Sequence, residues 1–189
     1  MSWINKDTEI YCSFAKKAGN TGCQMMNSAF YYYGLNKIYK SFSVDSMEDC
    51  VEEIGAANTV INTDKGLHAY NTDYLAALEY LSYYKNADYM DWREFYILGN
   101  GGYALAVKAA AKELNMEFTN ITRDNWDWNT VNNIKDCIIY NCTPLEQLSH
   151  LSKNNIFIDC IVTTKTGLEL ATAQAAHQFK LYTGLKFPY

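Results

Sequence analysis

Short strand-like and helix-like segments alternate along the first third of the chain. Residues 10–14 are apolar and residues 38–44 alternate between polar and apolar side chains, as strands do. Between them, apolar residues recur at spacings of three and four from 25 to 33, which predicts a helix. Asn20 or Thr21, polar residues just before this helix, would cap its start.

A second helix, a hairpin and a third helix are predicted next. Residues 46–55 form a short stretch that begins with serine and ends with glycine, which favours a helix. Segments 57–62 and 66–70 flank a polar, glycine-containing turn and predict the two strands of a hairpin. Thr72 is expected to cap a helix over residues 73–85, whose leucines keep helical spacing.

The remainder of the chain alternates strand with helix. Apolar runs predict four strands, and alanine-rich or amphipathic stretches predict helices between and after them. This order favours a parallel sheet with crossover helices. The polar stretch 86–93 separates the two halves of the chain. The strands are expected at 95–98, 117–122, 137–141 and 156–162, and the helices at 103–114, 126–134 and 167–183.

A glycine-rich loop joins the first strand and the first helix of this second half. Gly99-Asn100-Gly101-Gly102 follows an apolar strand and opens an alanine-rich helix. Gly99 would allow a tight turn, Gly101 would admit a pyrophosphate close to the backbone, and Gly102 with Ala106 would let helix and strand pack closely. The helix start would offer free N–H groups to a phosphate. The pattern predicts a dinucleotide site, and a tight turn without a ligand is the alternative.

The end of the next strand bears on the choice of dinucleotide. Thr122, Arg123 and Asp124 stand there. An acidic residue at this place binds a ribose 2′-hydroxyl, whereas an arginine accepts a 2′-phosphate. Because Arg123 precedes Asp124, NADP is favoured over NAD. The alternative for Arg123 is a solvated surface side chain.

The composition limits the partners that the chain can have. It has 189 residues, of which 49% are hydrophobic, and a formal net charge of -5. No long basic stripe is present, so nucleic acid is not an expected partner. No apolar run approaches the roughly 18 residues of a membrane span, and residues 1–11 are unlike a targeting signal. We therefore expect no membrane partner and a cytoplasmic protein.

The six cysteines form no CxxC pair, and no histidine lies at ligand spacing from them. Several stand inside apolar runs. We expect buried free thiols in a reducing compartment and no metal site. A catalytic cysteine or a zinc site is the alternative.

Six ordered segments of the chain resemble the shikimate dehydrogenase family, most closely its shikimate-dehydrogenase-like branch. Together they are far more specific than any one alone. The similar segments are GNTG and the following MN (19–22, 26–27, the substrate loop), GAANT (55–59), YNTDY (70–74), GNGG (99–102, the nucleotide loop), NCTPL (141–145) and the tail AQAAHQF followed by LYTG (173–179, 181–184).

The resemblance implies an α/β protein of two domains. A small, shortened α/β substrate domain would span 1–88, a Rossmann-like parallel-sheet domain for NADP(H) would span 89–165, and a C-terminal helix in 166–189 would return to the first domain. Hydride would pass between NADP(H) and a cyclic hydroxy acid such as shikimate or 3-dehydroshikimate, as in aromatic amino acid biosynthesis. The expected partner is this small molecule, and the tyrosine-rich composition is compatible with a homodimer.

The resemblance also implies roles for individual residues. Asp73 would be the catalytic carboxylate. The plain alternatives are a helix-terminal carboxylate for Asp73, a turn residue for Asn58 and an exposed helix residue for Gln174. The substrate would be bound by Asn58, Thr72 and Gln174, with Asn20 and Thr21 near its carboxylate, and the cofactor by Gly99, Asn100, Gly101, Gly102, Tyr103, Thr122, Arg123, Asn141 and Thr143.

Two family segments have no counterpart. The family's NVTxPxK segment supplies a lysine that pairs with the aspartate of NTD and handles the substrate proton, but residues 44–55 carry no lysine. A helix and a substrate-facing tyrosine of the family are missing between Val162 and Gly167. General acid–base help is worth about 10²–10⁴-fold in rate, so the loss bears on activity. The remaining candidates for the proton are Lys16, Lys17, Lys40, Lys65 and His68.

Three functions therefore stay open. The first is a minimal NADP-dependent oxidoreductase in which Asp73 survives as acid–base partner. The second is a protein that binds NADP(H) or a small molecule and has lost the chemistry, and the third is an interaction protein with neither ligand. The missing lysine favours the second, whereas the set of Asn58, Thr72, Asp73 and Gln174 favours the first.

Overall fold

The computed structural model describes residues 4–15, 17–43, 58–63, 66–86 and 94–189. The helix predicted at 46–55, the hairpin turn at 64–65 and two of the candidate lysines, Lys16 and Lys65, lie outside the described residues. Within the described ranges the chain divides into two compact units. The first comprises the chain up to Thr72 together with Gln174–Tyr189, and the second comprises Asp73–Ala173.

The first unit contains two pairs of strands and a helix. Strands β1 (Glu9–Ala15) and β2 (Lys37–Ser43) pair in parallel and are joined through helix α1 (Thr21–Tyr32). Strands β3 (Thr59–Thr63) and β4 (Gly66–Tyr70) pair antiparallel, as the hairpin pattern predicts. Asn20 is the residue before α1, but its side chain makes no capping hydrogen bond, so the predicted cap holds in position only.

The core of the first unit lies between α1 and the C-terminal end of the chain. Met26, Ala29 and Phe30 of α1 are buried, and the Phe30 and Phe179 rings lie 5.5 Å apart. Phe187 packs against Phe179 in turn. Fully burying one such phenylalanine stabilises the fold by about 1.5–3 kcal/mol. The part of the last helix from Gln174 onward therefore packs within the first unit.

The second unit is a four-stranded parallel sheet with helices. Its strands lie in the order Thr119–Ile121, Phe95–Leu98, Ile138–Asn141 and Ile156–Asp159, and every neighbouring pair is parallel. Together with the first unit this confirms the predicted α/β fold class with a parallel sheet. The elements are α2 (Thr72–Asn86), β5 (Phe95–Leu98), α3 (Gly102–Glu113), β6 (Thr119–Ile121), α4 (Trp128–Asn132), β7 (Ile138–Asn141), β8 (Ile156–Asp159) and α5 (Lys165–Thr183).

Small residues let α3 approach the sheet closely. Ala104, Val107, Ala110 and Ala111 are buried and form one apolar stripe of the helix. All four residues of β7 are buried, which is expected of a strand inside a parallel sheet. Alanine has the highest helix propensity and loses no side-chain entropy on burial. The packing of α3 against the sheet fixes the end of the loop that joins β5 to α3.

Several predicted elements are shorter than expected. β6 ends at Ile121 because Thr122 caps a 3₁₀ helix, Arg123–Asn125, instead of extending the strand. Asp127 accepts from the N–H groups of the first turn of α4, which begins the helix two residues later than predicted. A further 3₁₀ helix, Glu146–Lys153, was not predicted.

The last strand also ends early. Thr166 Oγ1 accepts from the Asp159 N–H and donates to the Asp159 carbonyl, so β8 stops at Asp159 and not at 162. Helix α5 starts at Lys165, two residues before the predicted start.

The predicted domain bounds of 1–88, 89–165 and 166–189 stay a prediction. In the division into compact units, α2 from Asp73 onward belongs to the unit that contains the parallel sheet. No helix of the described residues has the length and apolar character needed to cross a membrane.

Candidate substrate and dinucleotide sites

The glycine loop has the backbone shape that its sequence predicts. Gly99 has a φ of +112°, a region that favours glycine, and a Cβ there would lie 3.2 Å from the Cys142 carbonyl oxygen. Around Gly101 and Gly102, a Cβ would meet no atom within 4 Å. The loop is therefore tight where the chain turns and open where a phosphate would approach.

The start of α3 can receive an anion. Gly101, the residue before the helix, makes no side-chain capping bond, and the first turn carries no acidic residue. The first N–H groups of a helix have no partner inside the helix, and the helix dipole adds positive potential there. These features fit a dinucleotide phosphate, as the sequence suggested.

Asn120 holds this loop in place, a role that the sequence patterns did not predict. Its Nδ2 donates to the carbonyl oxygens of Ile97 and Gly99, both at 2.9 Å. Lys108 Nζ in turn donates to Asn100 Oδ1 at 2.7 Å and to Asn120 Oδ1 at 3.3 Å. An asparagine inside a predicted strand, where this residue is uncommon, was the available signal. Asn100 is thus tied to α3 from its exposed position.

Tyr103 follows the loop in the first turn of α3, and its hydroxyl lies 2.9 Å from the Tyr140 hydroxyl. Burial raises the pKa of the Tyr103 hydroxyl, and the negative charge of Asp73 adds to the rise. Burial likewise raises the pKa of Tyr140. Both tyrosines are neutral hydrogen-bonding groups at neutral pH, and the predicted cofactor contact of Tyr103 would fall to its backbone N–H.

The segment after β6 presents Arg123 to solvent. Thr122 N donates to Asn125 Oδ1 at 2.6 Å, and Thr122 Oγ1 accepts from the Asp124 N–H. Asn125 Nδ2 also donates to the Asn120 carbonyl at 3.1 Å. The arginine and Asp124 are both exposed at the end of the strand, so both remain available to a ribose.

Asn141 and Thr143 form the loop after β7. Asn141 Oδ1 accepts from the N–H and Oγ1 of Thr143 at 2.9 and 2.6 Å, and its Nδ2 donates to Asp159 Oδ1 at 3.0 Å. Asn141 is fully buried, so its side chain shapes the loop. Contacts of these two residues with a cofactor stay a prediction.

Asn58 in the first unit carries an amide with a defined orientation. Its Oδ1 accepts from Thr72 N at 2.8 Å, from Thr72 Oγ1 at 2.9 Å and from Thr59 Oγ1 at 3.0 Å. Its Nδ2 is shielded from solvent, and no described residue accepts from it. Three donors saturate the oxygen, while the two protons of the nitrogen have no acceptor among residues 58–63, 66–86 and the other described ranges. The structure thus joins two predicted substrate residues, Asn58 and Thr72.

The other predicted substrate residues are placed separately. Thr21 and Gln174 are half-buried and Asn20 is exposed. An open depression of about 470 Å³ along α1 is lined by Asn20, Cys23, Gln24, Asn27, Ser28 and Tyr31. Asn58 and Thr72 do not line it. Asn27 is structural, because its amide exchanges two hydrogen bonds with the Tyr39 backbone.

Asp73 opens the second unit in the first turn of α2, where the helix dipole favours its ionised form. It is half-buried. Burial raises the pKa of Cys160 to about 11, and Asp73 is a smaller contributor. Asp73 therefore lies in the electrostatic environment of Tyr103 and Cys160 at this edge of the second unit.

The structure describes three of the five candidate replacements for the family lysine. It also describes five of the six cysteines. Lys17, Lys40 and His68 are exposed. All five described cysteines are free: Cys137 is buried, Cys23, Cys142 and Cys160 are half-buried, and Cys12 is exposed. The expectation of a buried thiol is therefore wrong for Cys12. Among the described residues, no group of three or more His, Cys, Asp or Glu side chains could hold a metal ion.

Comparisons with known proteins give the same family as the motifs. The chain is 29% identical over 149 residues to a shikimate dehydrogenase-like protein of Haemophilus influenzae, covering 60% of this chain and 53% of that one. It is 30% identical over 164 residues to the NADP(+) shikimate dehydrogenase of Clostridium botulinum, covering 72% and 63%. The chain thus spans less than two thirds of the length of these relatives. No protein-family model matches it.

Solved structures agree on the fold. A shikimate 5-dehydrogenase-like protein superposes with a TM-score of 0.75 at 23% identity, over 97% of this chain and 94% of that one. The Thermus thermophilus shikimate 5-dehydrogenase, solved with NADP(H) and shikimate, gives a TM-score of 0.65 at 18% identity over 94% of each chain. These superpositions show an α/β fold shared with both structures. The chain's sequence relatives are shikimate dehydrogenases, which confirms the resemblance to that family.

Proposed function

We propose that the protein binds NADP(H) and a cyclic hydroxy acid of the shikimate type and transfers hydride between them. The observation that carries this proposal is the amide of Asn58, whose oxygen is saturated and whose Nδ2 has no acceptor among the described residues. A buried donor without a partner costs about 1–3 kcal/mol. A ligand hydroxyl that accepts from Nδ2 removes this cost.

The substrate is held by the side chains that the family resemblance assigns to it. Asn58 donates to a ring hydroxyl. The N–H and the hydroxyl of Thr72 donate to the side-chain oxygen of Asn58 and hold the amide in place. Gln174, half-buried in α5, adds a second amide. Asn20 and Thr21 at the start of α1 bind the carboxylate, where the helix N–H groups favour an anion.

The dinucleotide is held by the glycine loop and the residue after β6. The open backbone at Gly101 and Gly102 accepts the pyrophosphate, and Asn120 keeps the loop rigid. Arg123 binds the 2′-phosphate, which favours NADP over NAD. The Clostridium botulinum relative, named for NADP(+), supports this choice. NADP(H), when bound, supplies or accepts the hydride.

Asp73 handles the proton. In the direction of oxidation, the substrate hydroxyl gives its proton to the Asp73 carboxylate. At the same time the carbon that bears this hydroxyl loses a hydride. The first turn of α2 favours a negative charge, and a carboxylate there can accept a proton. The alkoxide that develops on the substrate would be stabilised by a nearby positive charge. Residues 44–55, where the family has its lysine, contain no positively charged residue.

The Asp73→Asn variant tests this role. We expect shikimate-dependent turnover to fall by about 10²–10⁴-fold while NADP still binds. Glu79→Gln, an exposed carboxyl in the same helix, is the matched control and should retain turnover. Turnover of Asp73→Asn equal to that of the wild type would overturn the assignment.

A protein that binds both ligands without turnover is the second candidate. Two observations favour it: residues 44–55 contain no lysine, and Lys17, Lys40 and His68 are exposed. It predicts that NADP raises the melting temperature and that no cyclic hydroxy acid is oxidised or reduced. Measuring both properties on the same sample separates the two candidates.

A further inference from the structure

A second buried polar pair lies directly behind Asn58. Gln178 of α5 donates from Nε2 to Thr59 Oγ1 at 3.0 Å, although 119 positions separate the two residues. Both side chains are buried, with 6% and 2% of their surface exposed. Burying polar groups costs free energy unless their hydrogen bonds are made, whereas burying an apolar pair carries no such cost. The pair therefore calls for an explanation other than packing.

The Thr72 backbone N–H can only donate, so it fixes Asn58 Oδ1 as the acceptor and sets the direction of the hydrogen bonds that follow. Asn58 Oδ1 carries no proton, so the Thr59 hydroxyl donates its single proton to it. The Gln178 amide then donates to a lone pair of the Thr59 oxygen. The result is a directed chain from the Gln178 N–H through the Thr59 hydroxyl to the Asn58 carbonyl.

This chain distinguishes the two orientations of the Asn58 amide. Oxygen and nitrogen of an amide have nearly the same shape, so only their partners fix which one accepts from Thr72 and which one is left without an acceptor among the described residues. In the reversed orientation the Asn58 N–H₂ would face the Thr72 backbone N–H, which can only donate. Each lost bond that leaves a buried group unsatisfied costs about 1–3 kcal/mol. The observed orientation is thereby strongly favoured before any ligand binds.

We propose that Gln178 and Thr59 are positioning residues that fix Asn58 so that its Nδ2 faces the ligand. The inference rests on the proposed function, since it gives Asn58 a substrate to bind. It also defines the ligand chemistry: the group opposite Asn58 must accept a hydrogen bond, as a hydroxyl or keto oxygen does. A ring acid with an ammonium group at that position is rejected, because ammonium only donates.

Isosteric variants test the positioning role. Thr59→Val removes the hydroxyl at constant shape, and Gln178→Met removes the donor. We expect each to raise KM for shikimate about tenfold, with kcat changed far less, because uniform binding is lost. Thr59→Ser restores the hydroxyl and should restore KM. Thr183→Val, which removes a half-buried hydroxyl elsewhere in α5, is the matched control and should leave KM unchanged.

Nuclear magnetic resonance of the ligand-free protein gives an independent readout. The side-chain amide of Asn58, identified by its absence in Asn58→Asp, should give one sharp pair of signals in the wild type. In Thr59→Val the pair should broaden or double, as both orientations become populated. Unchanged Asn58 signals in this variant overturn the positioning role. If these signals respond but the wild type has no affinity for shikimate, the proposed function fails and the positioning role stands.

Discussion

Asn141 donates from Nδ2 to Asp159 Oδ1 at 3.0 Å across the paired strands β7 and β8, and both side chains are buried. The same carboxylate accepts from the Ile161 N–H at 3.2 Å. Burial raises the pKa of Asp159, and these two hydrogen bonds oppose the rise without cancelling it. The parallel sheet therefore holds a carboxyl group that prefers its protonated form more than a free aspartate does.

This relationship makes stability depend on pH. A folded pKa above the unfolded value of about 3.9 gives a contribution that is present below that value and lost as the pH rises through the folded pKa. We expect Asp159→Asn to lack this loss. Its free energy of unfolding should therefore rise relative to that of the wild type as the pH increases through that window. Urea titrations across the window measure it.

The control for this prediction is Asp124→Asn, which removes an exposed carboxyl group and should leave the pH profile of the wild type in place. Parallel pH profiles for Asp159→Asn and the wild type would contradict the assignment of a raised pKa to Asp159.

Gly101→Asp should separate folding from dinucleotide binding. Gly101 has extended backbone geometry, and aspartate is a preferred residue before a helix, so stability should stay equal or rise by a few tenths of a kcal/mol, roughly. The new carboxylate would repel the phosphates, and NADP affinity should fall at least about tenfold. Gly101→Asn is the uncharged control. Comparable NADP affinity for the aspartate and asparagine variants would show that no phosphate binds there.

Arg123→Ala tests the cofactor preference. If the guanidinium binds the 2′-phosphate, NADP affinity should fall about tenfold while NAD affinity stays nearly constant. Lys135→Ala, another exposed cation of the same unit, should affect neither. Isothermal titration with both dinucleotides measures the ratio, and equal weakening of the two would remove the assigned role of Arg123.

Gly167→Ala should destabilise the second unit. A Cβ at this position would lie 2.0 Å from the Ile161 carbonyl oxygen, so backbone must move. We expect a loss of about 1–3 kcal/mol, or more, in the free energy of unfolding. Gly22→Ala is the control, because its Cβ would meet the Tyr39 ring at an ordinary 3.5 Å inside α1. A Gly167→Ala variant as stable as the wild type would contradict the close approach.

Local patterns were sufficient to predict most of the elements of the fold. Periodicity of apolar residues fixes α1, β7 and α3, because each buries one continuous face or run. The Gly99 turn was predictable for the same reason, since only a few residue types tolerate its backbone geometry. The spacing of glycines also located the open start of α3.

Contacts between distant residues were beyond such patterns. Asn120 lies in a short strand, and nothing local shows that its amide clamps the carbonyls of Ile97 and Gly99. Thr59 and Gln178 meet only because α5 packs in the first unit. The early ends of β6 and β8 likewise depend on hydrogen bonds to side chains beyond the strand. These interactions are set by tertiary structure, which propensity does not report.

Hydride transfer between shikimate and NADP is the activity that we propose for the chain. The most direct measurement is shikimate-dependent reduction of NADP by the wild-type protein at high concentration, followed by absorbance, with NAD in parallel. We expect turnover that requires shikimate and is faster with NADP than with NAD. Absence of turnover with both dinucleotides, in a sample whose melting temperature NADP still raises, would contradict it and establish binding without chemistry.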